Sequence, residues 1–187
     1  MRWDRLFEDL EALADADLGV ERDAEVADRT RRERALVGLH ARLLANVGGP
    51  ELSIRLARPS HTAEGLVTGT LGDVGPDWLQ LSEGGRQSLL VPLAAVRGVV
   101  GLRAGAHEPT IVARRFTLGA VLRGLSRGRV PVEVSDLDGR TLTGTVDAVG
   151  ADHLDLAEHP LDEPRRREHV VRCHVLPFVA LSWIRHP

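Results

Sequence analysis

The stretch VTGTLGDVGPDWLQLSE, Val67 to Glu83, decides the fold, because the chain repeats it 75 residues later as LTGTVDAVGADHLDLAE, Leu142 to Glu158. Nine of the 17 aligned positions are identical, and Gly69 aligns with Gly144. Apolar and polar residues alternate through much of both copies, which is typical of half-buried β-strands. The sequence therefore predicts a duplicated, β-rich unit.

Strand-like alternation also surrounds the two copies. From Leu52 to Leu102 it predicts five short strands, and a mid-strand glycine such as Gly69 permits a sharp bend. The second copy is preceded by Asp138-Gly139, a tight hairpin turn, and its later part places Pro177 opposite Pro92. A charged, proline-containing insertion of ten residues follows the second copy and predicts an exposed loop.

Helical patterns precede both sets of strands. Residues 3–46 carry apolar positions at helical spacing, with a break expected near Gly19, and Gly48-Gly49 suits the end of the helix. Thr117 is a candidate N-cap of a short helix that ends before Arg129. The repeated unit is therefore predicted to be a helix followed by five strands.

The order of a helix, five strands, a bent second strand and a short turn before the last strand resembles the Sm-like barrel, and specifically its bacterial member Hfq. The residues at matching spacing are Asp138, Gly139, Leu142, Gly144, Val146, Val149, Leu154 and Leu156. The resemblance implies a mainly β fold with α-helices, in which two Sm-like, SH3-like five-stranded barrels are each preceded by a helix. The expected domains are an N-terminal helical arm at 1–48, a first barrel at 49–105, and a linking helix with the second barrel at 106–187.

Composition indicates where such a protein works. All 24 basic residues are Arg, a bias expected of a GC-rich bacterium, and the net charge is -3. A single cysteine, Cys173, excludes an internal disulfide framework and favours a cytoplasmic protein. The first twenty residues do not resemble a signal peptide, and no run approaches the roughly 18 apolar residues of a membrane span.

The middle of the chain is locally basic, since residues 103–129 hold six Arg and only one acidic residue, Glu108. An arginine stripe of this kind would make phosphate contacts with nucleic acid. The candidate nucleic-acid-binding residues are Arg114, Arg115, Arg123, Arg127 and Arg129. The alternative is a solvated helix face that pairs with the acidic N-terminal helix. Arg165–Arg167, in the insertion, are interpreted as part of a flexible loop.

Two patterns suggest chemistry, and both have simpler interpretations. Gly124–Gly128 matches the Gly-x-Ser-x-Gly elbow around Ser126, but that motif needs a strand before it and a helix after it, the reverse of the order predicted here. Possible zinc ligands are His153, His159, His169, Cys173 and His174. They lack a Cys-x-x-Cys pair, so solvated loop histidines are the favoured interpretation of the set. His153 takes the place of Trp78 in the repeat, which favours a packing role at a strand entry for that residue. The prediction is a non-enzyme with no catalytic residue, metal or cofactor.

Two functions remain open from the sequence. The first is a non-catalytic Sm-like adaptor or regulator that binds RNA through the basic segment between the barrels. The alternative is a protein-interaction and self-assembly module without nucleic-acid binding, in which the helical arm and the exposed barrel edges bind partner proteins or a second copy. Salt-dependent RNA retention would favour the first, and concentration-dependent self-association would favour the second.

Overall fold

A computed structural model describes residues 24–57, 66–85, 87–109 and 111–186. The chain divides into two compact units, with the boundary between Gly38 and Leu39. The predicted helix break near Gly19 lies outside the described residues. In the first unit the described part is helical over residues 24–35, which we call α1.

The second unit is mainly β with some helix, which confirms the coarser part of the predicted fold class. Its helices are α2 (Leu39–Leu44), α3 (Ile111–Arg115) and α4 (Leu118–Gly128). The strands of its first half are β1 (Leu52–Leu56), β2 (Leu66–Val74), β3 (Trp78–Glu83), β4 (Gln87–Pro92) and β5 (Val96–Val100). Those of its second half are β6 (Pro131–Asp136), β7 (Thr141–Val149), β8 (His153–Glu158), β9 (Arg172–Pro177) and β10 (Leu181–His186). A 3-10 turn precedes the last strand of each half, at Leu93–Ala95 and at Phe178–Ala180.

All ten strands belong to one antiparallel sheet, in the order β5-β1-β2-β3-β4-β10-β6-β7-β8-β9. The prediction of two separate five-stranded barrels is therefore wrong, because β4 of the first half pairs with β10 of the second. We call this pairing the junction; it places Leu90 opposite Ile184. The physical reason is that an edge strand presents unpaired N–H and C=O groups, and joining the two edges satisfies them.

The two halves nevertheless repeat one strand order and one register. In both, the second strand pairs with the third with a bulge at the same place, just after Leu71 and just after Val146. Gly69 pairs with the first strand of its half as Gly144 does, and Pro92 and Pro177 both lie opposite the first residue of the third strand. The predicted equivalence of these glycines and prolines is confirmed.

Gly69 and Gly144 are required by close contact with the neighbouring strand. A Cβ atom on Gly69 would lie 2.6 Å from the carbonyl oxygen of Ser82, and one on Gly144 would overlap the carbonyl oxygen of Ala157. β2 pairs with β1 up to Gly69 and with β3 from Thr70 onward, so the glycine marks the point where the strand changes partner. A side chain there would push the two strands apart.

The helices differ from the sequence prediction in two respects. Helix α1 and helix α2 are separate, because residues 37–38 are not helical and glycine at position 38 disfavours a continuous helix. Thr117 stands at the N-terminal end of α4 as predicted, but its side chain makes no capping hydrogen bond. The helix ends at Gly128, and the residue that follows, Arg129, has a left-handed backbone with φ 50°.

Two hydrophobic clusters form the core, and each draws residues from both halves. The cluster around β1, β2 and β3 also contains Leu43 of α2 and Trp183 of β10. The cluster around β6, β7 and β8 also contains Leu122 of α4, together with Trp78 and Leu90 of the first half. Because the halves exchange large side chains across the junction, neither half completes its core alone.

Candidate assembly edges and arginine surface

The junction is held by an ion-pair clamp as well as by backbone pairing. Arg185 of β10 contacts Glu83 of β3 at 3.2 Å and Glu133 of β6 at 2.9 Å, so one guanidinium connects the two halves. Its carbon ζ also lies 4.7 Å from the ring centre of Trp183. Arginine's planar fork suits such simultaneous contacts with two carboxylates and an aromatic face.

The two ends of the sheet are open edges within the described residues. β5 pairs only with β1, and β9 pairs only with β8. Exposed valines lie on both strands, Val100 on β5 and Val175 on β9. An unpaired strand edge with exposed apolar side chains is a template for pairing with another chain.

The two open edges correspond to the two strands that form the junction. β9 is the fourth strand of its half, as β4 is, and β5 is the last strand of its half, as β10 is. Leu90 of β4 is 7% exposed, whereas Val175 at the same position of β9 is 66% exposed. The second half therefore exposes a position that the first half buries in the junction.

Helix α4 is fixed to the first half by a turn that precedes β3. The backbone N–H of Leu118, the first residue of α4, donates to Asp77 Oδ1 at 2.8 Å, and Trp78 Nε1 donates to the carbonyl oxygen of Phe116 at 2.7 Å. Asp77 thus takes the capping role predicted for Thr117, since its carboxylate accepts an otherwise unpaired helix N–H. The sequence reasoning missed Asp77 because the cap comes from a residue 41 positions away.

The corresponding turn of the second half carries Asp152 and His153. The two side chains bond to each other, with 2.9 Å between His153 Nδ1 and Asp152 Oδ1. This hydrogen bond lowers the pKa of the Asp152 carboxyl below its ordinary value. The Asp152 side chain is 89% exposed. As predicted from the repeat, His153 occupies the position of Trp78 at the start of its strand.

The predicted arginines lie at the end of α3 and along α4, and they do not form one uniform stripe. Arg114 and Arg115 are at the end of α3, and Arg123 and Arg127 share one face of α4 at a spacing of four residues. All four are exposed, and within the described residues none has a hydrogen bond or ion pair from its side chain. These four form what we call the arginine surface.

Arg129 differs from the other four candidates. It contacts Asp147 of β7 at 2.9 Å, and Asp147 is also bound by Arg165 of the insertion, with 2.7 Å between Nε and Oδ1. That hydrogen bond raises the pKa of Arg165 above its ordinary value. Asp147 is therefore an acidic partner of both Arg129 and Arg165, which leaves these two arginines less suited to a phosphate than arginines with no carboxylate partner.

An exposed aromatic side chain adjoins the arginine surface. Phe116 directly follows Arg115, is 54% exposed, and lines an open hollow of about 340 Å³ together with Val74, Trp78 and Val121. Asp73 also lines the hollow. The sequence reasoning missed Phe116, although an aromatic residue immediately after two arginines was the signal that marked it.

The residues considered as zinc ligands are spread over the second half and the insertion. His159 is buried, with its two ring nitrogens at hydrogen-bonding distance from Thr145 Oγ1 (2.8 Å) and the Pro160 carbonyl oxygen (2.7 Å). His174 contacts Glu158 at 2.6 Å, and Cys173 is exposed. Across the described residues, no group of three or more His, Cys, Asp or Glu side chains is arranged to hold a metal ion.

Ser126 lies inside α4, and its hydroxyl donates to the backbone carbonyl of Asp147 at 3.2 Å. The strand-turn-helix geometry of a nucleophile elbow does not surround it, because the same helix continues on both sides of Ser126. Its hydrogen bond attaches α4 to β7.

Comparison of the chain with protein-family models, with curated proteins and with solved structures finds no match in any of the three. Among the helices of the described residues, none has the length and apolar character needed to cross a membrane.

Proposed function

We propose that the protein is a non-catalytic self-assembly module, in which β9 of one chain pairs with β5 of the next. The observation that carries this proposal is the junction, because the chain already contains one copy of the contact. The equivalent strands remain unpaired at the two ends of the described sheet. The sequence raised protein interaction as an alternative function, and this proposal assigns it to the open edges β5 and β9.

The register of the new contact follows from the junction. Leu90 lies opposite Ile184 there, so Val175 of one chain would lie opposite Val99 of the next. Removing valine side chains from water contributes up to about 1.5–3 kcal/mol for each one fully buried. Main-chain hydrogen bonds along the paired edges add specificity of register.

Assembly of this kind has a direction, because the two surfaces in contact differ. A contact between two different surfaces generates a closed ring when the rotation closes and an open filament when it does not.

Molar mass in solution tests the proposal. The wild-type chain should increase in mass with concentration, and Val175→Arg should remain a single chain because a charge would be placed in the paired edge. Leu161→Arg is the matched control, since Leu161 is an exposed apolar residue of the insertion and belongs to neither edge strand. A wild-type chain that stays monomeric over the whole concentration series would contradict the proposal.

Covalent trapping tests the register. Val99→Cys and Val175→Cys, combined in a Cys173→Ser background, should give a ladder of disulfide-linked chains on mild oxidation. β5 and β9 lie at opposite ends of one chain's sheet order, so links between them join separate chains. Either cysteine alone should give dimers at most, and the absence of a ladder would reject this register.

Nucleic-acid binding is a second candidate, supported by the four exposed arginines that have no partner within the described residues and by the exposed Phe116 beside them. Unpaired arginines contact phosphates, and an aromatic face stacks on a base of a single strand. Arg129 is excluded from this surface because Asp147 already binds it.

A salt series tests the second candidate. Retention of a single-stranded RNA should fall steeply between about 50 and 200 mM salt, because each neutralised phosphate releases counterions. Arg123→Glu with Arg127→Glu should abolish retention, whereas Arg166→Glu, a charge change in the insertion, should weaken it less. Absence of retention by the wild type at low salt would reject this candidate and leave the assembly proposal intact.

A further inference from the structure

We propose that the turn at Gly150–His153 in the second half is a docking site for helix α2 of a second copy of this chain. The inference rests on the proposed self-assembly and adds to it a second contact, made by a helix and a turn. The model for this contact lies within one chain, where α4 already docks on the corresponding turn of the first half.

The internal template has polar and apolar parts. Asp77 Oδ1 accepts the backbone N–H of Leu118 at 2.8 Å, and the Leu118 side chain, 3% exposed, packs in the same hydrophobic cluster as Trp78. A charged acceptor and a buried leucine thus hold the start of α4 on the first half.

The second turn has the same backbone shape as the first. Gly75 N–H donates to the carbonyl of Trp78 at 2.9 Å, and Gly150 N–H donates to the carbonyl of His153 at 2.9 Å. The backbone carbonyls of Asp77 and Asp152 each accept the N–H of the first residue of a 3-10 turn. A Cβ atom on Gly75 would overlap the Trp78 ring, and one on Gly150 would overlap the His153 ring.

Within the described part of one chain, no helix of the second unit docks on the turn at Gly150–His153 as α4 docks on the turn before β3. The side-chain carboxylate of Asp152 bonds to its neighbour His153 there, and no described helix of the second unit caps on it as α4 caps on Asp77. The protein thus presents a second helix dock of the same shape, with its carboxylate in solvent.

Helix α2 is the element that fits this dock. It precedes the first strand of its half as α4 does, it begins with Leu39 as α4 begins with Leu118, and it buries its fifth residue, Leu43, as α4 buries Leu122. Yet Leu39 is 48% exposed, where Leu118 is 3% exposed. The start of α2 therefore carries a leucine at the position of Leu118, and this leucine is still exposed and available to be buried by a second copy.

The position of α2 brings it to the dock when the edges pair. Leu39 and Arg42 of α2 line a groove together with Val96 and Val99 of β5, so α2 lies beside the open edge. The turn at Gly150–His153 precedes β8, and β8 is the strand next to β9. Pairing β5 of one copy with β9 of another would therefore bring α2 of the first copy toward this turn of the second copy. Asp152 would then accept an amide at the start of α2, and Leu39 would become buried.

The decisive experiment compares equivalent residues of the two docks. Asp152→Ala should weaken self-association by about tenfold, the loss expected for a capping carboxylate, and leave the melting temperature of the single chain unchanged. Asp77→Ala, the matched variant of the internal dock, should lower the melting temperature and leave the association of the remaining folded chains unchanged. Leu39→Ser should behave like Asp152→Ala. Wild-type-like association of Asp152→Ala and Leu39→Ser would overturn the inference.

Cysteine trapping separates this inference from the assembly proposal. Leu39→Cys with Asp152→Cys, in the Cys173→Ser background, should link separate chains on mild oxidation. If Val99→Cys with Val175→Cys gives a ladder and the helix-turn pair gives none, the docking inference is wrong while edge pairing stands. If neither pair links chains and the wild type is monomeric, both are wrong.

Discussion

At the scale of single residues, the glycines repeated between the two halves are required by contact distance. A Cβ atom on Gly144 would overlap the carbonyl oxygen of Ala157, yet the backbone there is ordinary strand with no positive φ. The sequence predicted a sharp bend at each mid-strand glycine, but not the close contact with a neighbouring carbonyl oxygen that the structure shows. It did not predict Asp77 as a helix cap, since that contact joins residues far apart in the chain.

Gly144→Ala should therefore destabilise the protein by about 2 kcal/mol or more, because β7 or β8 must move to admit one methyl group. Gly72→Ala is the matched control, since Gly72 also lies within a strand but its nearest neighbour would be 3.8 Å from the new Cβ. Urea denaturation measures both. Equal midpoints for the two variants would show that the strands can separate there without cost.

At the scale of elements, the arginine run of the insertion after β8 is attached to the sheet through Arg165. Residues 160–168 are exposed, as predicted, but His159 at the start of the insertion is buried, and Arg165 makes a two-nitrogen contact with the carboxylate of Asp147. The sequence favoured a flexible loop for all three arginines because Asp147 is distant in the chain and no local pattern links them. Helix and strand positions could be predicted from periodicity, whereas attachment between elements could not.

Arg165→Ala should lower stability by about 0.5–1 kcal/mol and speed cleavage of the insertion by trypsin, because the loop loses its attachment. Arg166→Ala should stay within about 0.5 kcal/mol, since the Arg166 side chain is exposed and has no partner in the described residues. Limited proteolysis followed by mass spectrometry resolves both effects. Identical cleavage rates for the two variants would mean that the Asp147 contact does not restrain the loop.

At the scale of the whole molecule, the sheet is continuous across a boundary that the sequence places between two domains. Each half contains a complete set of five strands with its own turns, so local patterns predict two closed units. Pairing of β4 with β10 leaves no periodic signal, because it depends on which edges meet in space. For the same reason, the sequence does not predict that Trp183 packs in the cluster of the first half and Trp78 in the cluster of the second.

Trp183→Ala should cost about 3–5 kcal/mol and destabilise both halves together, because Trp183 belongs to the second half and fills the core of the first. Hydrogen exchange should then accelerate in β1 as much as in β6, although Trp183 lies on neither strand. Unfolding followed by fluorescence and by circular dichroism should give one coincident transition. Protection lost in one half alone would show that the halves unfold independently.

The ion-pair clamp at the junction has a further consequence for any assembly. Val100 stands where the repeat would place Arg185, so a contact between chains lacks the clamp that Arg185 provides within a chain. The contact within the chain also forms at a fixed effective concentration set by its own linker, whereas the contact between chains obeys mass action. On dilution, an assembly of this protein should therefore come apart at every second contact and release whole chains, each with its ten-stranded sheet intact.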